Sequence, residues 1–433
     1  MRLGFNAVAL ACCALVARGQ SVWHVDASAS PGGSGASWAS AFTTLGQALT
    51  VAQRYDEIWV ADGVYTPPTS TTADPRETAF YIPRDLKLFG GFAGGEPSVA
   101  ARAGLFATTV LSGDIGVAGD DTDNAHHVIR TWGRVTVDGF RIERGNANGA
   151  PVPNGGGILC ETGQVGTIPG LYEGSTLALR HCTLARNRAS RGGALFAQLA
   201  GLNVVDCDFE DNESTGNAGA LAVQTSNGRF DLCRFLRNRA GSNGGAAHLV
   251  SIDAFPSGMP VVMFYGCLFQ ENVAQGSGGA LYLGGSSFSS GKALLGNCTV
   301  SLNTGAAGGG GIFAQTTTTV PAVGWMRNSI VFYNRGAVAQ DIAGTLQVWD
   351  SIAPGQSGPG VLALNPRFEN VRLKNLALRS DSPGLDIGNL AWLPQDALDV
   401  DEDGIFAELL PVDLLGTTRV LGPGIDMGAF ERP

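Results

Sequence analysis

The stretch CRFLRNRAGSNGGAAHL, Cys233 to Leu249, is followed by a near copy, CLFQENVAQGSGGALYL, Cys267 to Leu283. Three further segments share the frame: CTLARNRASRGGAL from Cys182, CDFEDNESTGNAGAL from Cys207 and CTVSLNTGAAGGGGI from Cys298. In each, an asparagine follows the cysteine by five residues. Weaker copies stand at FRIERG, Phe140 to Gly145, and SIVFYN, Ser329 to Asn334. The cysteines are 25, 26, 34 and 31 residues apart, close to one coil of a parallel β-solenoid made of three short strands and three turns. One coil cannot bury its apolar face alone, whereas stacked coils place equivalent residues about 4.8 Å apart and share a core.

The frame gives each position a task. Cys182, Cys207, Cys233, Cys267 and Cys298 alternate with polar residues at strand period, together with Leu184, Phe209, Phe235, Leu268 or Phe269, and Val300. This set is expected to point inward. The cysteines then form an interior stack of small apolar groups; the alternative is a metal or disulfide set, for which neighbouring parallel strands offer poor Cβ geometry. Asn187, Asn212, Asn238, Asn272, Asn303 and Asn334 stand where a strand ends. Asparagine tolerates a left-handed turn, and its amide can bond to the copies above and below. Gly193, Gly219, Gly245, Gly279 and Gly311 supply backbone angles or close approach that a Cβ forbids.

Composition agrees. The 433 residues include 62 glycines and only 15% charged residues, which suits many tight turns between short apolar strands. MRLGFNAVALACCALVARGQS has an early Arg2, an apolar run and a small-x-small site at Ala17 to Gly19, the pattern of a secretory signal peptide. A lipoprotein reading through Cys12 or Cys13 has too short an apolar run before it. No later apolar run is long enough for a membrane-spanning helix. Without Arg2 and Arg18 the 28 bases fall to 26 against 38 acids, a net charge of −12. That sign excludes nucleic acid as an expected partner.

Phe209 to Asn212, Phe235 to Asn238 and Phe269 to Asn272 read F-x-x-N, and GGA-[LI]-like strings follow, as at Gly192 to Leu195 and Gly278 to Leu281. Over about residues 135 to 335 the chain thereby resembles the polymorphic outer-membrane protein repeat family. That resemblance implies a right-handed parallel β-helix on a bacterial surface, in a family with many adhesins. Those adhesins end in a membrane-spanning β-barrel, and no run of alternating ten-residue strands is expected before Pro433. At the other end, Phe42, Leu45, Leu49 and Val51 or Ala52 have helical period ahead of a strand at Ile58 to Ala61. A helix over Phe42 to Gln53 is expected to shield the first coil. This string resembles the N-terminal cap of pectate-lyase-like β-helix proteins, including surface proteins of variable anchor type. SPGLDIGN, from Ser382, and PVDLLGTTRVLGPGIDMGAFE, from Pro411, look like the C-terminal segment of that same group. Arg419 is expected to pair with Asp386 or Asp426 there.

The expected fold is all-β: a single right-handed parallel β-helix with an N-terminal capping helix and a C-terminal cap. Residues 1–19 are the signal peptide, 20–134 the N-terminal cap and first coils, 135–370 the repeats, and 371–433 the C-terminal cap.

Chemistry is less clearly written. In DVDEDGIFAE, Asp399, Asp401 and Asp403 alternate, Gly404 permits a bend, and Glu408 with a carbonyl can complete a hard oxygen shell. The two readings of the string are a structural Ca²⁺ site and a merely solvated acidic turn. GDDTDN, from Gly119, and the adjacent His126 and His127 read as a surface turn, and no catalytic residue is assigned. Arg186, Arg188, Arg237 and Arg239 are expected to offset Glu210, Asp211 and Glu271 on neighbouring coils. Insertions at Glu161 to Gly174, Ser251 to Pro260, Gly284 to Gly291 and near Gln315 to Pro321 share one phase of the repeat. They are expected to stack into one binding face, with Tyr172, Phe255 and Phe288 as ligand-contacting rings; the alternative is that each ring folds back to cover its own coil. The expected function is a secreted or cell-surface, adhesion-like binding protein, outer-membrane associated, whose partner is a polysaccharide or cell-surface component. The alternative is a carbohydrate-active enzyme of the pectate-lyase-like class.

Overall fold

The computed structural model describes residues 19–83, 85–102, 108–161, 174–250, 262–285, 290–316, 321–338 and 340–433. The signal peptide reading therefore lies outside the described residues, apart from its last position.

Near its start the chain forms a seven-residue helix, Leu45–Val51, closed by a capping box in which the Thr44 hydroxyl accepts from the Gln47 backbone N–H. Leu45 and Ala48 are its buried face. The expected helix ran further at both ends, but Ala52 has already left helical geometry. From there the chain coils. Sheet I has eleven parallel strands, from Val22–Val25 to Gln347–Trp349, and sheet II has nine, from Gly63–Tyr65 to Ile330–Phe332. Sheet IV has nine, from Phe80–Ile82 to Ile342–Ala343. Between II and IV, six coils add a two-residue strand, Arg188–Ala189 to Arg335–Gly336, which forms sheet III. A full coil runs Ala200–Val205, Asp208–Glu210, Glu213–Ser214, Leu221–Gln224. The fourth strand was not expected; it arises because the residues after each ladder asparagine also pair with their copies, as Arg188 does with Glu213. The chain is a right-handed parallel β-helix.

Register is one-to-one along the repeats, so like residues stack. Leu184, Phe209, Phe235, Phe269 and Val300 follow one another in sheet II. Phe209 and Phe235 lie 4.7 Å apart at 7°, and Phe235 and Phe269 lie 4.7 Å apart at 5°. Of the two candidates in the Cys267 coil, Phe269 points inward and Leu268 faces out. Cys182, Cys207, Cys233, Cys267 and Cys298 are buried, free thiols. Each sulfur donates to a carbonyl of its own or the previous coil, as Cys207 does to Val205 at 3.2 Å, and burial pushes the Cys207 and Cys267 thiols well up.

The asparagines form a continuous buried ladder. Asn187, Asn212, Asn238, Asn272 and Asn303 each donate Nδ2 to the next asparagine's Oδ1 at 2.9–3.1 Å. The last, Asn334, donates to Asp341 at 2.9 Å, and a carboxylate thereby ends the row. The left-handed turn residue is not the asparagine, as expected, but the one before it: Arg186, Asp211, Arg237, Glu271, Leu302 and Tyr333 have φ of 54–64°. Those side chains point outward, while the asparagine must keep its amide in the ladder. The glycines of the GG pairs act as expected by close approach: a Cβ on Gly193, Gly219 or Gly245 would run into a carbonyl oxygen of the next coil.

Beyond the last coil the C-terminal segment does more than close the end. It folds back along the corner between sheets I and II as an arm. Asn389 exchanges two hydrogen bonds with Asn328, and the Trp392 ring lies 4.1 Å from the Arg327 guanidinium. Further along, Arg229 donates to the Gln395 carbonyl at 2.7 Å. Arg180 donates to the carbonyls of Leu398 and Asp399 at 2.7 and 2.6 Å. On the return, Arg234 donates to the Leu414 carbonyl and Ala429 reaches Thr299. Under the arm, Val205, Leu232, Tyr265 and Leu268 pack against Leu393, Val400, Leu410 and Leu414 as a second core. Arg419 is fully buried, but its partners differ from those expected. Its Nη2 donates to the carbonyls of Asp426 and Gly428, Glu431 is the carboxylate at 3.8 Å, and the Asp386 N–H bonds to Asp426.

Candidate functional site

The arm carries the acidic turn to the flank of the early coils. Asp396 starts it, buried, with its carboxylate accepting from the Val400 N–H at 2.9 and 3.0 Å. Asp399, with φ 53°, accepts from the Gly404 N–H at 3.1 Å, and Asp403 accepts from the Ile405 N–H at 2.7 Å. Two overlapping groups result: Asp396, Asp399 and Asp401, and Asp401, Asp403 and Glu408, each with carboxylate oxygens within 4.8 Å of one another. Oxygens on opposite sides of a Ca²⁺ stand about 5 Å apart, so either group fits one ion. Glu408 Oε1 is buried with no hydrogen-bond partner. Burial and then the surrounding Asp403, Asp401, Asp396 and Asp399 carboxylates raise the Glu408 pKa. Burial, followed by Asp401 and Asp399, does the same for Asp396. A bound cation would reverse this repulsion.

Of the four sequence-predicted metal residues, Asp401, Asp403 and Glu408 fall in one group, and Asp399 shares the other with Asp401 and Asp396. Asp396 was missed, because it stands three residues before Asp399 and breaks the alternation that drew attention to the others. The solenoid side of the site was also missed. A cleft of about 540 Å³ opens between the turn and the coils, lined by Phe89, Arg102, Asp138, Arg180, Glu402 and Phe406 among others. Asp138 is buried, Arg102 lies 3.2 Å from it, and His181 Nδ1 lies 3.1 Å from its other oxygen. Despite the cost of burial, the hydrogen bonds from His181 and Arg102 hold the Asp138 carboxyl below its ordinary range. Glu402 reaches back to Arg180 at 3.5 Å and His181 at 3.8 Å. Both Arg180 Nη groups are committed to holding the arm.

Of the arginines flanking the asparagine ladder, Arg237 takes the expected Glu210 and Asp211, whereas Arg186 pairs with Glu143, Arg188 with Asp121 and Glu213, and Glu271 is held by Lys374 instead. His126 and His127 are not surface residues. His126 Nε2 lies 3.0 Å from Asp74, and His127 Nδ1 donates to the Gly155 carbonyl at 2.9 Å. Burial pulls the His127 pKa down to about 4. A histidine whose folded pKa is lowered gives full stability above its ordinary value near 6.5 and loses it as pH falls toward 4. Between pH 7 and pH 5 the loss is about 2 kcal/mol. Thermal melts of wild type and His127→Gln are expected to converge over that interval; a constant gap would show that His127 is not buried in its neutral form.

Tyr172, Phe255 and Phe288 lie outside the described residues. Their neighbours fix where the insertions attach. Residues 162–173, 251–261, 286–289 and 317–320 each join a strand of sheet IV to the next strand of sheet I. At the same corner two other coils make the passage with Leu199 alone and with Thr225 and Ser226.

Comparison with known proteins fits the fold. The model of the Chlamydia polymorphic membrane protein repeat matches residues 266–284. No curated protein aligns significantly with the chain. Among solved structures, pectate lyase Pel9A superposes with a TM-score of 0.55 at 12% identity, covering 96% of this chain and 97% of that one. That likeness shows a shared β-helix. A rhamnogalacturonan lyase gives a TM-score of 0.32 at 14% identity over 76% of this chain and 72% of its own, too loose to carry an argument.

Proposed function

We propose that the chain is an exported, cell-surface β-helix that binds a polysaccharide or another surface component without turning it over. The observation that carries this reading is that the four long connections all emerge at the corner between sheets IV and I. Loops stacked on one edge of a rigid rod make a continuous wall, which is where such scaffolds hold ligands. Tyr172, Phe255 and Phe288 are its contact rings. The polymorphic membrane protein repeat at 266–284 supports a place at the bacterial surface, associated with the outer membrane. The test uses the short connections as an internal design: replacing 251–261 and 286–289 with one- or two-residue links like Leu199 leaves the melting temperature near wild type. Retention on immobilised polysaccharides then falls. Unchanged retention on every polysaccharide tried would remove the loops from the binding role.

In this reading a structural Ca²⁺ joins the turn. Asp401 holds it either with Asp403 and Glu408 or with Asp396 and Asp399, and the ion neutralises carboxylates that otherwise repel one another. Millimolar Ca²⁺ is expected to raise the melting temperature, and Asp401→Ala, which breaks both groups, to abolish the rise. A rise unchanged in that variant would place the ion elsewhere.

A second reading, a carbohydrate-active enzyme, draws on the cleft beside the turn, where Asp138 and His181 are hydrogen-bonded. In such a site a carboxylate-oriented imidazole acts as a general base.

A further inference from the structure

At the corner between sheets II and III, the left-handed turn row that carries Arg186, Asp211, Arg237 and Glu271 on earlier coils continues as Leu302 and Tyr333. There the antiparallel hairpin Phe368–Asn370, Asn375–Leu378 packs against the last coils. Between its tip and the coils opens a cleft of about 470 Å³, lined by Leu302, Thr304, Tyr333, Arg335, Val371 and Arg372 among others. Leu302 and Val371 are half-buried and form an apolar wall. The Tyr333 hydroxyl accepts from Asn365 Nδ2 at 2.6 Å, which fixes the ring beside them. Thr304 and Arg335 are neighbours in register in sheet III.

The charge in this cleft is unbalanced. Lys374 Nζ lies 2.8 Å from Glu271, and the two cancel. Asp341 is turned to the end of the asparagine ladder, where its Oδ1 accepts from both the Asn334 backbone N–H and Nδ2 at 2.9 Å. Arg335 and Arg372, both exposed, have no carboxylate partner among the described residues. Arg186, Arg188 and Arg237 on earlier coils each hold one. Even with Asp341 counted, the cleft therefore keeps an excess of positive charge on a chain whose net charge is −10.

We propose that this cleft binds a phosphate monoester, with the phosphate between Arg335 and Arg372 and the organic group against Leu302, Val371 and Tyr333. One guanidinium fork is enough for a carboxylate, whereas a phosphate presents three oxygens and meets two forks at once. The apolar wall favours an ester over the bare ion. A lipid headgroup and a small soluble ester share this chemistry. The site is independent of the loop corner and of the acidic turn.

Calorimetric titration of the full chain with phenyl phosphate, benzoate and benzyl alcohol tests the proposal. Phenyl phosphate is expected to bind at least about tenfold more tightly than benzoate, and benzyl alcohol not at all. Arg335→Glu and Arg372→Glu should each weaken phenyl phosphate by about tenfold or more, with melting temperatures unchanged because both side chains are exposed. Arg239→Glu is the control: Arg239 is also exposed and shares the register row of Arg335 in sheet III, but three coils away, about 14 Å, so binding should not change. Sedimentation with phosphatidylcholine vesicles containing phosphatidic acid separates the sources. Retention that is lost in Arg372→Glu assigns a lipid headgroup, and any other result in a chain that binds phenyl phosphate assigns a soluble ester. No binding of phenyl phosphate, equal binding of benzoate, binding unaltered in either cleft variant, or an equal loss in Arg239→Glu would overturn the site.

Discussion

Replacing Asn238 with alanine is expected to cost about 4 kcal/mol, or to stop the protein folding. The amide is fully buried and has four side-chain hydrogen bonds. Its Oδ1 accepts from the Asn212 backbone N–H and Nδ2 at 3.1 and 3.0 Å, and its Nδ2 donates to the Phe209 carbonyl and to Asn272 Oδ1 at 2.8 and 2.9 Å. Alanine leaves the Asn212 backbone N–H unpaired, strips one of two bonds from Asn212 Nδ2, which keeps the Leu184 carbonyl, and takes the side-chain donor from the Phe209 carbonyl. Asn272 Oδ1 keeps one bond, from the Asn238 backbone N–H. The neighbouring Arg239 is exposed, and Arg239→Ala should stay within about 0.5 kcal/mol of wild type. Urea unfolding followed by circular dichroism reads both. A loss below about 1 kcal/mol for Asn238→Ala would mean that the ladder is incidental to the coil.

Phe235→Ala is expected to be of the same size, about 3–5 kcal/mol. The ring is fully buried between Phe209 and Phe269 and meets Phe264 edge-on at 5.9 Å and 81°. Removing it opens a cavity that stiff, stacked strands cannot collapse, and it breaks four ring contacts at once, with Phe209, Phe230, Phe264 and Phe269. Phe406, 57% exposed on the acidic turn, supplies the contrast: Phe406→Ala should leave the unfolding midpoint where it was. Equal effects of the two changes would mean that the inward register is wrong.

These two residues also show what the sequence made legible. Stacking forces equivalent positions into identical surroundings, so the cysteine, phenylalanine, asparagine and glycine of the frame recur in the chain as plainly as they recur in space. The same repetition showed the common phase of the insertions. The left-handed residue beside each asparagine stayed hidden because arginine, aspartate, glutamate, leucine and tyrosine carry no signal for it; the ladder imposes the conformation. The arm stayed hidden for a related reason. Arg180, Arg229 and Arg234 hold it through main-chain carbonyls, and a carbonyl is offered by every residue, so nothing in 390–414 marks the contact. The acidic turn was legible as a cluster, but its position against Asp138 and His181, more than 200 residues earlier in the chain, is set by that arm. The contact rings of the insertions were chosen from local composition alone, which identifies exposure less well than period identifies burial.

The central claim is that this β-helix holds its ligand without consuming it. Incubating the full chain with acidic and neutral polysaccharides, with and without Ca²⁺, and following new reducing ends and unsaturated products tests that claim directly. The account predicts retention of the protein on at least one polysaccharide with no new chain ends at any Ca²⁺ level. New chain ends that vanish in the His181→Ala variant would contradict it and make the cleft between the coils and the acidic turn an active site.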